Sequence, residues 1–280
     1  MKDLSLQVKK LFAFPENKNG KEIIELRAFT HGLPPKNVAK NLQLFFEEWK
    51  TGGVDAWNEL RKSADIFLVG DETSEEKNRK FGWWMLPEIL GDRFISRLIN
   101  APQETCIILP NATHIVFSIL SCKEIHKPEK RKVICTEGEF PAVLHTLHNF
   151  NNQFSNYSEK IREEVSLKIQ TIPLKNNQFD ENTMLNAIDD ETTLVIFSHV
   201  CFVTGERVSD EAIQRIVEKA HQNGALVAID GYHAIGSQMI DVQKLNVDLY
   251  FAGLLKEGCG SSGNCFLYIR KDLELTPSLS

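Results

Sequence analysis

The feature of this sequence that most constrains its fold is a set of short runs that are apolar at successive positions. Residues 225–229 are all apolar, and residues 193–197 contain a single polar side chain. A strand with one face in water would alternate apolar and polar side chains, and these runs do not alternate. Strands that are apolar on both faces are typical of mostly parallel sheets covered by helices on both sides. We therefore predict a sheet enclosed between two helical layers.

Helical stretches separate the apolar runs in the later part of the chain. The predicted strands are residues 106–109, 132–135, 193–197, 225–229, 248–252 and 265–269, and the predicted helices among them are residues 113–120, 140–150 and 210–222. Upstream, apolar residues at helical spacing predict helices at residues 36–50 and 86–99. This order of elements predicts an α/β chain, with an N-terminal segment and helix at residues 1–50 and one large domain at residues 51–280.

The composition excludes several classes of protein. No apolar run approaches the roughly 18 residues of a membrane-spanning helix, and residues 1–10 lack the apolar stretch of a signal peptide. The net charge is −6 at pH 7, and acidic and basic residues are mixed along the chain rather than gathered into the basic stripe that nucleic-acid binding requires. We therefore expect a cytoplasmic protein that binds neither membranes nor nucleic acid.

The six cysteines include no C-x-x-C pair, and several of them lie inside apolar, strand-like runs. Free, buried thiols are the expected state of such residues, in preference to disulfides or metal ligands. No metal site is predicted. Cys259 differs from the others because it lies in a glycine-rich loop, at residues 258–263.

Two titratable residues follow the predicted strand at residues 225–229. Ligands of parallel sheets bind at the carboxyl ends of the strands, which is where Asp230 lies, and His233 follows three positions later. A carboxylate in this place can pair with the protonated pyridine nitrogen of a cofactor and keep its ring electron-withdrawing. An aspartate after a strand is also a common helix cap, and this alternative stays open at the level of the sequence.

Lys256 occupies the loop after the predicted strand at residues 248–252. It follows two leucines, and desolvation by such neighbours would lower the pKa of its amine and favour the neutral form that a Schiff base requires. A lysine in a loop is otherwise a solvated surface charge. The spacing of Lys256 behind Asp230, together with the glycine-rich stretch that follows, favours the functional interpretation.

Two further segments after strands complete the candidate site. Small residues, Asn111, Ala112 and Thr113, meet the start of a predicted helix, where free amides and the helix dipole favour a phosphate group. Phe140 follows another strand and could stack on a planar cofactor. An ordinary helix cap and an ordinary core phenylalanine are the alternatives for these two segments.

Taken together, these motifs resemble class V enzymes dependent on pyridoxal 5'-phosphate (PLP), and most closely the kynureninases. The resemblance extends from about residue 32 to residue 272, and its most specific segments are residues 32–36, 86–93, 137–141, 198–205 and 230–236. The aspartate and histidine of the last segment favour kynureninases over cysteine desulfurases, which usually carry glutamine at the position of His233. The implied fold is the large domain of the PLP-dependent transferases of fold type I.

The resemblance implies a role for each candidate residue. Lys256 would be the catalytic Schiff-base lysine. The cofactor-binding roles would be Asp230 on the pyridine nitrogen, His233 near the phenolic oxygen, Phe140 stacked on the ring, and Asn111, Ala112 and Thr113 at the phosphate. The implied activity is that of a PLP-dependent enzyme, kynureninase-like, acting on an amino acid as a homodimer. Ser261 and Ser262 could reach the phosphate of the partner subunit.

Several positions depart from the kynureninase pattern. Leu255 replaces the tyrosine or histidine before the lysine, Phe202 replaces a tyrosine, and Val143 replaces an aspartate. Family members usually continue for another hundred or more residues as a small domain, which is largely absent from this chain. The alternatives are therefore a catalytically impaired PLP-binding protein, or another class V lyase or aminotransferase such as a cysteine desulfurase, with Cys259 or Cys201 as the nucleophile.

Overall fold

A computed structural model describes residue 7 and residues 9–59 and 82–278 of the chain. The first residues of the predicted N-terminal segment, and residues 60–81 of the predicted large domain, lie outside the described part. The described strands are β1 (Cys106–Leu109), β2 (Lys132–Thr136), β3 (Lys168–Ile172), β4 (Thr192–Ser198), β5 (Leu226–Asp230), β6 (Leu249–Gly253) and β7 (Cys265–Ile269). The described α-helices are α1 (Val38–Gly52), α2 (Leu86–Leu90), α3 (Ser96–Leu98), α4 (Ala112–Ser121), α5 (Pro141–Asn149), α6 (Glu159–Val165), α7 (Glu181–Ala187), α8 (Asp210–Gln222) and α9 (Val242–Leu245).

The described strands form a mixed, mostly parallel sheet in the order β1-β7-β6-β5-β4-β2-β3. Strands β2 to β6 run parallel to one another, and β7 is antiparallel to both β1 and β6. The parallel strands therefore end at one edge of the sheet. In β4 and β5 the last residues, Ser198 and Asp230, are partners in register, so their side chains lie next to each other at this edge.

The core lies on both faces of the sheet, as the apolar runs predict. Every residue of β4 is buried, and its successive side chains enter opposite layers. Val195 and Phe197 pack in a cluster with buried residues of helix α8, and Leu194 and Ile196 pack in a second cluster with buried residues of helices α4 and α5. The two-layered covering of the sheet is therefore confirmed, as is the α/β fold class.

The predicted elements agree with the structure to within a few residues where their apolar patterns are strong. Strands β1 and β7 and helix α8 have the predicted bounds. The predicted helix at residues 86–99 contains a π-helical segment, Gly91–Ile95, between α2 and α3. A side chain on Gly91 would place Cβ 2.1 Å from the carbonyl oxygen of Cys106, so glycine allows this segment to lie directly against β1. No helix of the described residues is long and apolar enough to cross a bilayer.

The cysteines are free thiols, as expected, and all of them except Cys259 are buried. Burial raises the pKa of Cys106 and of Cys122 to about 12, which keeps both thiols protonated near neutral pH. These side chains therefore act as small apolar groups of the core rather than as nucleophiles.

Helix α8 offers a test of local stability. The Ser209 hydroxyl accepts a hydrogen bond from the amide of Ala212 at 3.2 Å and so caps the helix. Ser209→Ala is expected to lower the free energy of unfolding by about 1 kcal/mol, measured by urea denaturation. Ser158 is the matched control because it precedes helix α6 and makes no side-chain cap hydrogen bond. An equal loss of stability in Ser158→Ala would contradict the capping role of Ser209.

Candidate active site

A cavity of about 250 Å³ lies at the edge where the parallel strands end. This volume is close to the lower end of the range of small-molecule sites, about 300–1,000 Å³. Side chains from β4, from the segment after β5 and from the loop after β6 line it together with the start of helix α4. The structure brings all the sequence-predicted site residues to this one cavity: Asn111, Ala112, Thr113, Phe140, Asp230, His233 and Lys256.

Lys256 and His233 form the basic part of the cavity. The Nζ atom of Lys256 lies 2.6 Å from Nε2 of His233. Burial lowers the pKa of Lys256, although the charges of Asp230 and Glu257 oppose this effect. Burial, followed by the charge of Lys256, lowers the pKa of His233 to about 4. The imidazole is therefore neutral at physiological pH, and the amine is closer to its neutral, nucleophilic form than an exposed lysine is.

Asp230 ends strand β5 with its carboxylate buried beside the cavity. Its Oδ1 atom accepts a hydrogen bond from the amide of Tyr232 at 2.9 Å. Burial raises the pKa of Asp230 to about 6, and the Tyr232 amide and the charge of Lys256 counteract the rise. Asp230 is therefore mostly ionised at neutral pH, and it places a buried negative charge near the amine. The helix-cap alternative for Asp230 does not apply, since the segment after it is a series of turns.

Three aromatic rings surround the amine of Lys256. The distance from Nζ to the ring centroid is 5.5 Å for Phe140, 5.6 Å for Phe202 and 5.1 Å for Tyr232. Phe140 meets Phe202 edge-on, with ring centroids 5.0 Å apart. Phe140 is 41% exposed, so it is a wall of the cavity rather than a core residue. Such walls reduce the access of water to the amine.

The start of helix α4 forms a further part of the cavity wall. The Asn111 side chain accepts a hydrogen bond from the amide of His114 at 2.7 Å, so Asn111 caps the helix and also lines the cavity. The cap interpretation and the binding interpretation of this segment are therefore compatible. First-turn amides have no partner within a helix, and with the helix dipole they favour an anion near Ala112 and Thr113.

The N-terminal segment holds the loop that carries Lys256. The amide of Gly32 donates a hydrogen bond to the carbonyl oxygen of Leu255 at 2.9 Å. A Cβ atom on Gly32 would lie 2.1 Å from the carbonyl oxygen of Lys256, so no larger residue fits without movement of the loop. Gly236, at φ +80°, packs against the backbone of Glu257 in a similar way. The position of the amine thus depends on contacts from two distant segments.

Sequence reasoning gave no role to several residues that line the cavity. Ser198 and Tyr232 are among them, and the cavity is also lined by Leu255 and Phe202, which the sequence shows as departures from the kynureninase pattern. Ser198 could have been identified in the same way as Asp230, because it also follows an apolar run. Cys201 and Cys259 are not among the residues that line the cavity. The thiol of Cys201 is buried and donates to the carbonyl oxygen of Gly138, and the thiol of Cys259 donates to the carbonyl oxygen of Glu257.

The lowered pKa of Lys256 can be tested in the cofactor-free protein. Burial lowers the pKa of Lys256 and so raises the fraction of its amine that is neutral near pH 7, and Lys271 is an exposed lysine for comparison. We expect a small amine-directed reagent to label Lys256 faster than Lys271, measured residue by residue by peptide mass spectrometry. The difference should shrink as the pH approaches the ordinary pKa of lysine. Slower labelling of Lys256 at every pH would contradict the lowered pKa.

The fold and the site define a class of protein. Residues 93–278 match the family model for class-V aminotransferases, and the chain belongs to this family. The family is PLP-dependent, which confirms the cofactor class predicted from the sequence.

Relatives and solved structures agree with this placement. An uncharacterized aminotransferase, YcbU of Bacillus subtilis, is 30% identical over 64% of this chain and 43% of its own length. The kynureninase of Flavobacterium psychrophilum is 24% identical over 94% of this chain and 56% of its own length. The chain thus spans about half the length of the curated relatives it matches.

Two solved structures show the same fold. The match to the cysteine desulfurase CsdA of Escherichia coli covers 95% of this chain and 57% of the CsdA chain. Its TM-score is 0.66, and the two sequences are 18% identical. A mutant of the lyase C-DES, with glycine covalently linked to its PLP cofactor, covers 86% of this chain and 55% of its own with a TM-score of 0.64 and 16% identity. At these identities the likeness concerns the fold.

Proposed function

We propose that the protein is a PLP-dependent enzyme that acts on an amino acid and holds its cofactor covalently on Lys256. The observation that carries the proposal is that the Lys256 amine, the Asp230 carboxylate and the N-terminus of helix α4 line the same cavity. The donor set fits PLP, which has a pyridine nitrogen, an aldehyde, a phenolic oxygen and a phosphate. Each of these groups has a chemically suitable partner among the lining residues.

The proposed contacts follow from that match. Asp230 would hold a proton at the pyridine nitrogen, and His233 would lie at the phenolic oxygen. Phe140 would cover one face of the ring, and Asn111, Ala112 and Thr113 would bind the phosphate. PLP supplies an electron sink for negative charge that develops on the substrate.

Lys256 would have two tasks in this scheme. Its amine would first hold the cofactor, and after the substrate amine has taken that place it would remove the proton from the substrate Cα atom. Burial supports both tasks because it raises the fraction of neutral amine near pH 7. The rings of Phe140 and Phe202 would limit the access of water to Nζ during the transfer.

The proposed reaction is kynureninase-like cleavage of a Cβ–Cγ bond, or a related lyase or aminotransferase reaction. The kynureninase relatives and the histidine at position 233 support it. An impaired PLP-binding protein is the alternative, and it is favoured by Leu255 and Phe202, which bring apolar groups into the cavity where kynureninases have hydroxyls. A desulfurase is less well supported because Cys201 and Cys259 are not among the lining residues.

We also propose a homodimer, with a location in the cytoplasm. Ser261 and Ser262 lie exposed in the loop after Lys256, where a partner subunit could bring its own cofactor phosphate. Light scattering after gel filtration measures the mass in solution, and a monomer at every concentration would contradict the dimer.

A substrate screen on the PLP-loaded protein tests the activity. Kynurenine, cysteine and the common amino acids are added one at a time while the visible absorbance is recorded, and products are identified by mass spectrometry. We expect a spectral change and cleavage with an aromatic amino acid such as kynurenine. A spectral change without product, or no change with any amino acid, would contradict the enzyme and support the impaired alternative.

A further inference from the structure

A second buried carboxylate, that of Glu139, lies behind the cavity and has no part in the proposed reaction. Glu139 precedes Phe140 in the loop between β2 and α5, and only 2% of it is exposed. Its two oxygens accept hydrogen bonds from the hydroxyls of Thr136 and Ser198. Among the described residues, no Lys, Arg or His side chain forms an ion pair with it. Burying a charge without a counter-ion is unfavourable in free energy, so we expect this carboxylate to have a functional role.

Ser198 connects Glu139 to the cavity. The Ser198 side chain lines the cavity, whereas Glu139 does not. Ser198 is also the register partner of Asp230 on the neighbouring strand. One hydroxyl group therefore separates the hidden carboxylate from the space next to Asp230.

The titratable groups that face Glu139 come from the strands packed against it. Burial raises the pKa of Glu139 to about 7, the negative charge of Asp230 on β5 adds to the rise, and the two hydroxyls oppose it. The thiol of Cys135 on β2 also faces Glu139, but its own pKa is raised to about 11 and it stays neutral. Near neutral pH the protonated and ionised forms of Glu139 are therefore both populated.

The two forms of Glu139 present different groups to the cavity. The Ser198 hydroxyl carries a single hydrogen. When Glu139 is ionised, that hydrogen is donated to the carboxylate, and the cavity meets only the lone pairs of the serine oxygen. When Glu139 is protonated, the acid can donate its own hydrogen to Ser198, which frees the serine hydrogen to point into the cavity.

We propose that Glu139 is a positioning residue that sets, through Ser198, the charge and the hydrogen-bond character of the cavity beside Asp230. This inference rests on the proposed function, because the cavity is taken to hold PLP on Lys256. Release of a proton from Glu139 adds a negative charge near the cofactor and stabilises the protonated form of the Lys256 nitrogen. Uptake of a proton by Glu139 removes that charge and leaves the Ser198 hydroxyl able to donate a hydrogen bond into the cavity.

The test is a pH titration of the visible absorbance of the PLP-loaded protein. Glu139→Gln removes the charge and keeps the shape of the side chain. The midpoint, which is the pH at which half of the absorbance change has occurred, is therefore expected to fall by roughly half a pH unit to one pH unit. Glu137→Gln is the matched control, since Glu137 lies in the same loop, is exposed, and accepts a hydrogen bond from the Leu174 amide that glutamine can also accept. An unshifted midpoint in Glu139→Gln would overturn the proposal.

The relay through Ser198 is tested by combining variants. In a Ser198→Ala background the effect of Glu139→Gln on the midpoint should shrink to less than half, because loss of the Ser198 donor raises the pKa of Glu139 and leaves less negative charge to remove. An effect that stays above half would refute the relay. If Glu139→Gln fails to fold, Thr136→Val replaces it, because loss of this donor raises the pKa of Glu139 without touching a residue that lines the cavity. A smaller fall of the midpoint is then expected, and no fall refutes the proposal.

The outcomes separate this inference from the proposed function. A wild-type protein without a visible cofactor band contradicts the proposed function itself. A wild-type band whose midpoint is the same in Glu139→Gln contradicts only the role of Glu139.

Discussion

Replacing Lys256 with alanine is expected to abolish the visible absorbance of the PLP-loaded protein and the covalent retention of the cofactor. The visible band requires a Schiff base between the cofactor aldehyde carbon and an amine, and in protein freed of amino acids Lys256 supplies the amine that lines the cavity. Reduction with borohydride fixes that bond, so intact mass should show one added cofactor on the wild-type chain. The alanine variant should show none.

Lys271→Ala is the matched control for this experiment. Lys271 is exposed on the turn after strand β7, so its removal should leave the band and the added mass unchanged. Circular dichroism of the Lys256 variant establishes that it is folded. An unchanged visible spectrum in folded Lys256→Ala would contradict the assignment of this lysine.

Replacing Asp230 with asparagine is expected to weaken PLP binding by about 100-fold or more, because a buried positive charge on the pyridine nitrogen would lose its partner. The amide keeps nearly the same shape and can still accept the hydrogen bond from the Tyr232 amide. The loss therefore reports on charge rather than on packing. Equilibrium dialysis of PLP against the two proteins measures the ratio of dissociation constants.

Asp272→Asn provides the control for the loss of a carboxylate. Asp272 is exposed and pairs with Arg270 just after the end of strand β7, and neither residue is among those that line the cavity, so PLP affinity should not change. Turnover of any substrate found in the screen should fall in parallel with affinity in Asp230→Asn. An Asp230→Asn protein that binds PLP as tightly as the wild type would show that the carboxylate does not face the cofactor nitrogen.

The central part of the fold was predictable because its signals are local. Strands β4, β5 and β6 are apolar on both faces, and polar residues that follow such strands must reach the same edge of the sheet. Asp230 and Lys256 could be identified for this reason. Strand β3 was not predicted, because it lies at the edge of the sheet and buries few of its side chains, so its sequence lacks an apolar run.

Glu139 could not be assigned from the sequence. It lies 59 positions from Ser198 along the chain, and nothing in its own neighbourhood indicates burial. Its environment arises only when the loop after β2 folds beneath the end of β4. The shape of the walls around Lys256 was equally inaccessible, because the rings of Phe140, Phe202 and Tyr232 come from three separate segments.

The hydrogen bond between the Gly32 amide and the Leu255 carbonyl links the amino-terminal segment to the loop that carries Lys256, the proposed cofactor lysine. Thermodynamic linkage then works in both directions: whatever detaches that segment loosens the lysine, and whatever occupies the lysine protects the segment. Binding of the cofactor should therefore slow the cleavage of the chain by a protease at sites ahead of Gly32.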